Sequence, residues 1–274
     1  MNIFLSKPDF ISTDIRTRRP RDYMMPITAD VMAARHQLWF ANTDLAGKRV
    51  LDLGCCVAAT GAWVLDHGAK HYTGVDLQQD FVELSEKNLS MYYPLEQWQI
   101  INSDIIGFLK NCQQQFDVVV IAGSIYSMID YYSVVKDICR IAKEVIIESY
   151  HPYRALQEIW PEKTDSELMT LWKTTSLVSI ETSGQTMSQG GSQQHDSARP
   201  SMAAFAKIFA HLGWASDFEL NEQAVKDLPD VYSLQSPGYA VRFILRSTQG
   251  SKLVYDFVDS QQFPKETAHA FKRW

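Results

Sequence analysis

The chain has 274 residues, of which 46% are hydrophobic and 21% charged, and its formal net charge is −6. That supplies enough apolar side chain for one large core, or one core with a substantial insertion, and excludes a disordered or fibrous chain. The acidic balance argues against a broad nucleic-acid surface, which needs clustered Lys and Arg. One local exception is Arg16, Arg18, Arg19 and Arg21, which read as a solvated basic arm or an RNA contact.

The four cysteines, Cys55, Cys56, Cys112 and Cys139, form no CxxC pair and no Cys/His ligand spacing, so a reducing compartment is expected and no metal is indicated. Met1–Phe10 has no continuous apolar stretch of the secretory kind, and no apolar run approaches the roughly 20 residues that span a bilayer. The expectation is a cytoplasmic protein with no membrane partner.

In chain order, an N-terminal arm (1–46) precedes the first strong strand, Lys48–Leu53. Further strands are predicted over His71–Val75, Trp98–Ile101, Phe116–Ile121 and Glu144–Ile147. Each is short, β-branched and almost continuously apolar, as strands buried on both faces of a parallel sheet are. Helices are predicted between them at Ala59–His67, Gln79–Met91 and Tyr131–Ala142, the last with Val134, Val135, Ile138, Ile141 and Ala142 on one stripe. Strand–helix alternation implies right-handed crossovers and a doubly wound sheet.

After Ser149 the rhythm changes. Residues 150–199 read as an insertion, and its Ser/Gly/Gln-rich part, Glu181–Ser197, as a surface loop or a lid over substrate. A helix starts after Pro200-Ser201, buries Met202, Phe205, Ile208, Phe209 and Leu212, and ends at Gly213. Two strands follow, Ala215–Leu220 and Tyr239–Leu245, the second expected to run antiparallel at the sheet edge. The main domain is expected over 47–249, with a tail over 250–274.

In such a sheet a ligand sits at the carboxyl ends of the strands, near the point where strand order reverses. The residues there are Asp52-Leu53-Gly54, Asp76, Ser103-Asp104 and Ala122-Gly123. Strand-end carboxylates can accept hydrogen bonds from ligand hydroxyls and amines. Asp76 lies 24 residues after Asp52, where a ribose-binding acid sits in nucleoside-binding folds. The set suits a neutral or cationic nucleoside, and without G-x-G-x-x-G it suits a pyrophosphate poorly.

The stretches VLDLGCCVAATGAW, GVDLQQDFVELSEKN, INSDIIGFL and FDVVVIAGSIYS together resemble the class I S-adenosylmethionine-dependent methyltransferases, over about Lys48–Glu148 and more loosely over Pro200–Leu245. The resemblance implies a Rossmann-like, seven-stranded, mostly parallel sheet with an antiparallel edge strand, and S-adenosyl-L-methionine as cofactor. It implies that Asp52 lies near the methionine amine and that Gly54 lets the loop approach the methionine part. Asp76 would hold the ribose hydroxyls, Leu77 one adenine face, and Asp104 the adenine amino group with Ser103 and Ile105 close by. Ala122 and Gly123 would lie below the sulfonium. The family loop usually reads D-x-G-x-G-x-G, whereas here Cys56 and Ala58 stand at the second and third glycine positions, where glycine serves for reach and φ freedom. The segment Gly123-Ser124-Ile125-Tyr126-Ser127 is similar to part of the tRNA wobble-uridine-modifying enzymes, without their histidine.

Methyl transfer needs proximity and, for some acceptors, a base. Tyr126, Glu148 and His151 are the candidate catalytic residues, with Tyr153 and His195 as further substrate contacts; Tyr23, Met24 and Met25 are candidates to cover the cofactor. The expected function is methyl transfer to a small molecule. The alternatives are a tRNA-modifying enzyme, supported by the Arg16–Arg21 cluster, a degenerate fold serving as an interaction module, supported by Cys56 and Ala58, and, more distantly, a nicotinamide dehydrogenase.

Overall fold

In a computed structural model of the chain, the residues described are 2–11, 28–150, 160–164, 167, 168, 170, 171, 175–183, 195–218 and 242–249. Helices α1 (Ile3–Ser6) and α2 (Ala29–Trp39) precede β1 (Arg49–Leu53), α3 (Ala59–Asp66), β2 (His71–Asp76), α4 (Gln79–Ser90), β3 (Trp98–Asn102), α5 (Ile105–Asn111), β4 (Phe116–Ala122), α6 (Tyr131–Ile141) and β5 (Ala142–Tyr150). Strands β6 (Val178–Ser183) and β7 (His195–Pro200), helix α7 (Met202–His211), β8 (Trp214–Phe218) and β9 (Arg242–Gln249) complete it.

The sheet order is β3-β2-β1-β4-β5-β9-β8. Strands β1 to β5 pair in parallel, and β9 runs antiparallel between β5 and β8. The expected seven-stranded, mostly parallel sheet therefore forms, with its antiparallel strand one place in from the β8 edge. The chain lays β2 and β3 on one side of β1 and then returns to lay β4 on the other. This reversal opens a crevice at the carboxyl ends of β1 and β4, where ligands bind in such sheets.

Period-two alternation splits the core into two layers. Val50, Tyr72, Val118, Val120 and Ile146 face a layer containing Phe4, Phe10, Met32, Trp39, Trp63 and Leu89. Leu51, Leu53, Val119, Ile121, Val145 and Ile147 face the other, with Val134, Val135, Ile138, Phe205 and Phe209. The predicted α6 stripe buries Val134, Val135, Ile138 and Ile141. Ser201 caps α7 by accepting from the Ala204 N–H, and Gly213 at φ +80° closes it.

The stretch 181–197 is corrected at both ends. Residues 181–183 and 195–197 are strand, paired antiparallel as Glu181↔Ser197, Thr182↔Asp196 and Ser183↔His195. The alternation Val178-x-Ile180-x-Thr182 favours extended backbone, and the Ser/Gly/Gln content of 184–194 masked that signal. Residues 184–194, the tail 250–274, Arg16–Arg21, Tyr23, Met24, Met25, His151 and Tyr153 lie outside the described residues. The N-terminal helices join the core: Arg246 of β9 donates to the carbonyls of Trp39 (3.1 Å) and Leu38 at the end of α2.

Candidate active site

The loop after β1 carries three residues in the left-handed region: Gly54 at φ +86°, Cys56 at +52° and Ala58 at +58°. Cys56 and Ala58 thus hold a left-handed backbone conformation, which favours glycine. Left-handed φ costs a non-glycine residue about 1–2 kcal/mol, and the surrounding contacts hold it. The N–H groups of Gly54 and Cys55 donate to Val75 O (2.8 and 3.0 Å), and Ser85 Oγ donates to Cys56 O (2.7 Å). Replacing Cys56 with glycine is expected to raise stability by up to about 1 kcal/mol, net of glycine's greater freedom in the unfolded chain. Urea unfolding measures this; a clear loss of stability would mean that packing of the thiol outweighs the strain.

Asp76, at the end of β2, is buried and ties this loop to the next helix. Its Oδ2 accepts from Cys56 N–H and its Oδ1 from Gln78 N–H, both at 2.9 Å. Leu77, next in sequence, is 65% exposed, an apolar face beside a carboxylate. Asn102 Nδ2 donates to Asp76 O and Leu77 O, and Ser103 N–H donates to Asp76 O, so the end of β3 is sewn to the end of β2. Asp104 is exposed and caps α5, its Oδ1 accepting from Gly107 N–H at 2.7 Å. Ile105 is half-buried beside it, and Ile106 is 37% exposed.

Across the crevice, Gly123 at φ +74° donates its N–H to Glu148 O (3.0 Å). Ser124 lies against Gly54: a Cβ at Gly54 would come within 2.2 Å of Ser124 Oγ. The turn after β4 and the loop after β1 therefore meet, and Ser124 is a site residue that sequence reasoning missed. Tyr126 follows on a short 3-10 helix, Ile125–Ser127, and is half-buried.

Asp52 is 3% exposed and points into the α2–α3 layer. Its Oδ2 accepts from Tyr72 Oη (3.0 Å), and its carboxyl also meets the Thr60 hydroxyl. Burial is the main cause that pushes its pKa up from 3.8 to about 7.

Glu148 lies at the buried end of β5. It is 0% exposed, and its Oε2 pairs with Arg35 Nη2 of α2 at 2.8 Å. Arg35 in turn stacks over the Trp39 ring. The ion pair anchors α2 to β5 from within the core. The sequence could not reveal this, because Arg35 lies 113 residues away. His195 opens β7 in the peripheral two-stranded sheet. The four cysteines lie outside any disulfide, and burial pushes the Cys139 thiol up to about 12.

Strand order, the crevice between β1 and β4, and acids after β1 to β3 define the class: this is a class I S-adenosylmethionine-dependent methyltransferase fold. Residues 50–144 match the family model described as a methyltransferase domain. That segment is therefore a methyltransferase domain, a type whose cofactor is S-adenosylmethionine. It is similar to a putative S-adenosylmethionine-dependent methyltransferase from Listeria monocytogenes, with TM-score 0.57 and 14% identity, over 82% of this chain and 100% of that one. It is also similar to magnesium protoporphyrin IX methyltransferase from Synechocystis with bound S-adenosylhomocysteine, with TM-score 0.51 and 14% identity, over 91% of this chain and 100% of that one. Among curated proteins, the ribosomal RNA large subunit methyltransferase K/L of Pseudomonas fluorescens is 29% identical over 84 residues, 31% of this chain and 11% of that protein. The chain thus spans about a tenth of the length of that relative.

The residues present fit this cofactor. Asp76 places a carboxylate at the end of β2, Leu77 exposes an apolar face beside it, and the loop after β1 keeps glycine at position 54.

Proposed function

We propose that this protein transfers a methyl group from S-adenosylmethionine to a small-molecule acceptor. The observation that carries this reading is the left-handed backbone kept at Gly54, Cys56 and Ala58, with the Cys56 N–H bonded to Asp76. A chain that had lost its cofactor would have no reason to hold two side-chain-bearing residues in a costly conformation, and this weighs against the interaction-module reading.

When bound, the cofactor supplies an electrophilic methyl on a sulfonium, displaced in line by the acceptor. The chain's own contribution is positioning. Asp76 holds the ribose hydroxyls, Leu77 and Ile105 flank the adenine, and Ser103 and Asp104 face its edge. The backbone from Gly54 to Ala58 receives the methionine part. Ala122 and Gly123 form the floor, and Tyr126 stands beside it to orient the acceptor, with His151 as the candidate base.

A small acceptor is supported by the likeness to the magnesium protoporphyrin IX enzyme and by the net charge of −6, which opposes a polyanion. An RNA acceptor is the second reading, supported by the likeness to the ribosomal RNA enzyme.

Titration calorimetry with S-adenosylmethionine and S-adenosylhomocysteine tests the enzyme reading; absence of binding at millimolar ligand would sink it. Asp76→Ala is expected to weaken binding by about 1–3 kcal/mol, and an unchanged affinity would show that Asp76 does not touch the cofactor. Methyl transfer from labelled cofactor into a low-molecular-weight extract, compared with total RNA, separates the two acceptor classes.

A further inference from the structure

Tyr72 of β2 is fully buried, and it reaches Asp52 along the sheet rather than straight across it. The strand register pairs Val50 with Tyr72 and Asp52 with Gly74. Gly74, opposite Asp52, has no side chain, so the Tyr72 ring can run past it. At the far end of that path Tyr72 Oη donates to Asp52 Oδ2 at 3.0 Å. Two glycines cut the slot that holds the ring. A Cβ on Gly61 of α3 would lie 2.5 Å from Tyr72 Cε1. One on Gly74 would lie 3.0 Å from Tyr72 Oη and 2.9 Å from Cys55 Sγ. A side chain at either position would crowd the phenol that bonds Asp52.

The acid at the end of this slot differs from the other three beside the crevice. Asp76 accepts from two backbone N–H groups, Asp104 caps α5, and Glu148 pairs with Arg35. Asp52 is as buried as these pairings are tight, yet among the described residues no cation forms an ion pair with it. A buried carboxylate without a cationic partner is costly. The proposed function seats the methionine end of the cofactor on the loop that starts at Gly54, two residues further on, and that end carries an ammonium.

We propose that Tyr72 is a positioning residue for cofactor binding: its hydroxyl holds the Asp52 carboxylate in the orientation that receives the ammonium of the methionine end. The inference rests on the proposed function. Tyr72 itself touches no cofactor atom and acts only through Asp52. Donation by the phenol favours the ionised carboxyl and so works against the burial that opposes it. Gly61 and Gly74 serve the same end by leaving room for the ring.

The test is Tyr72→Phe, which keeps the ring in its slot and removes only the donor. Affinities are measured for S-adenosylhomocysteine and for methylthioadenosine, which shares the adenosine and the thioether but lacks the amino-acid end. The variant is expected to bind S-adenosylhomocysteine about tenfold more weakly than wild type, the scale of one hydrogen bond to a charged group, and methylthioadenosine within about twofold of it. A purely structural role would weaken both ligands alike. Equal losses, or no loss for S-adenosylhomocysteine, would overturn the proposal. Asp52→Asn supplies a second background. There, adding Tyr72→Phe should change S-adenosylhomocysteine affinity by less than about twofold, because the path from Tyr72 to the ligand is already cut; a further loss of the original size overturns the proposal. If Tyr72→Phe does not fold, the ζ carbon of 13C-labelled Tyr72 in the wild-type protein decides. Its resonance should move on adding S-adenosylhomocysteine and stay in place with methylthioadenosine, and the same response to both counts against the proposal. If wild type binds neither ligand, the proposed function itself fails. If wild type binds both equally well, that function stands and the role of Tyr72 falls.

Discussion

Replacing Gly54 with alanine is expected to abolish cofactor binding and to cost several kcal/mol of stability. Two independent costs combine. The backbone sits at φ +86°, which an L side chain adopts at a cost of about 1–2 kcal/mol. The new Cβ would lie 2.2 Å from Ser124 Oγ and 3.2 Å from Ser124 Cβ, an overlap that must move the turn after β4 at a further cost of about 1–3 kcal/mol. Any such movement opens the junction between the two loops that would receive the methionine part of the cofactor. Chemical unfolding and calorimetry on the variant check both effects. Adding Ser124→Gly should restore part of the stability by removing the overlap, while the φ strain remains. If the double variant is no better than Gly54→Ala alone, the contact with Ser124 is not the cause.

The second large effect is expected at the buried ion pair. Glu148→Leu leaves the Arg35 guanidinium in an apolar layer without its carboxylate. Breaking a buried pair from one side typically costs about 3–5 kcal/mol. Replacing both groups, as Arg35→Met with Glu148→Leu, should recover most of that loss, because two apolar side chains of similar volume need no solvation. The double-mutant cycle by urea unfolding gives the coupling directly. A single variant as stable as wild type would show that water reaches Arg35. The pair joins α2 to β5 directly, and Arg246 reaches back from β9 to the end of the same helix. Helix α2 is therefore anchored to the sheet at two strands.

The strands that build the site were legible because each is a short apolar β-branched run closed by a polar residue. Arg49–Leu53, His71–Asp76, Trp98–Asn102 and Phe116–Ala122 each fall within one residue of the predicted spans at either end. Strand β5 extends from Ala142 to Tyr150, beyond the predicted Glu144–Ile147. Its additional residues find partners across β4 and β9, which no local signal announces. The two-stranded sheet of β6 and β7 carries a local alternation at Val178-x-Ile180-x-Thr182, but its register depends on a partner strand more than ten residues away.

The sequence by itself determined the class of fold and the set of acids that end the strands, because hydrophobic periodicity and spacing are local properties. It also marked Cys56 and Ala58 as departures, but could not say whether the loop tolerated them. Only the tertiary structure shows the backbone they adopt, with both at positive φ and with Asp76 and Ser85 bonded to the loop. The roles of the carboxylates were likewise a tertiary matter. Asp76, Asp104, Asp52 and Glu148 look alike in sequence. In the fold one ties two backbone segments together, one caps a helix, one is buried against Tyr72 and Thr60, and one is paired with Arg35. The charge state and reach of a carboxyl depend on its neighbours in space, and those neighbours come from segments as far apart as 113 residues.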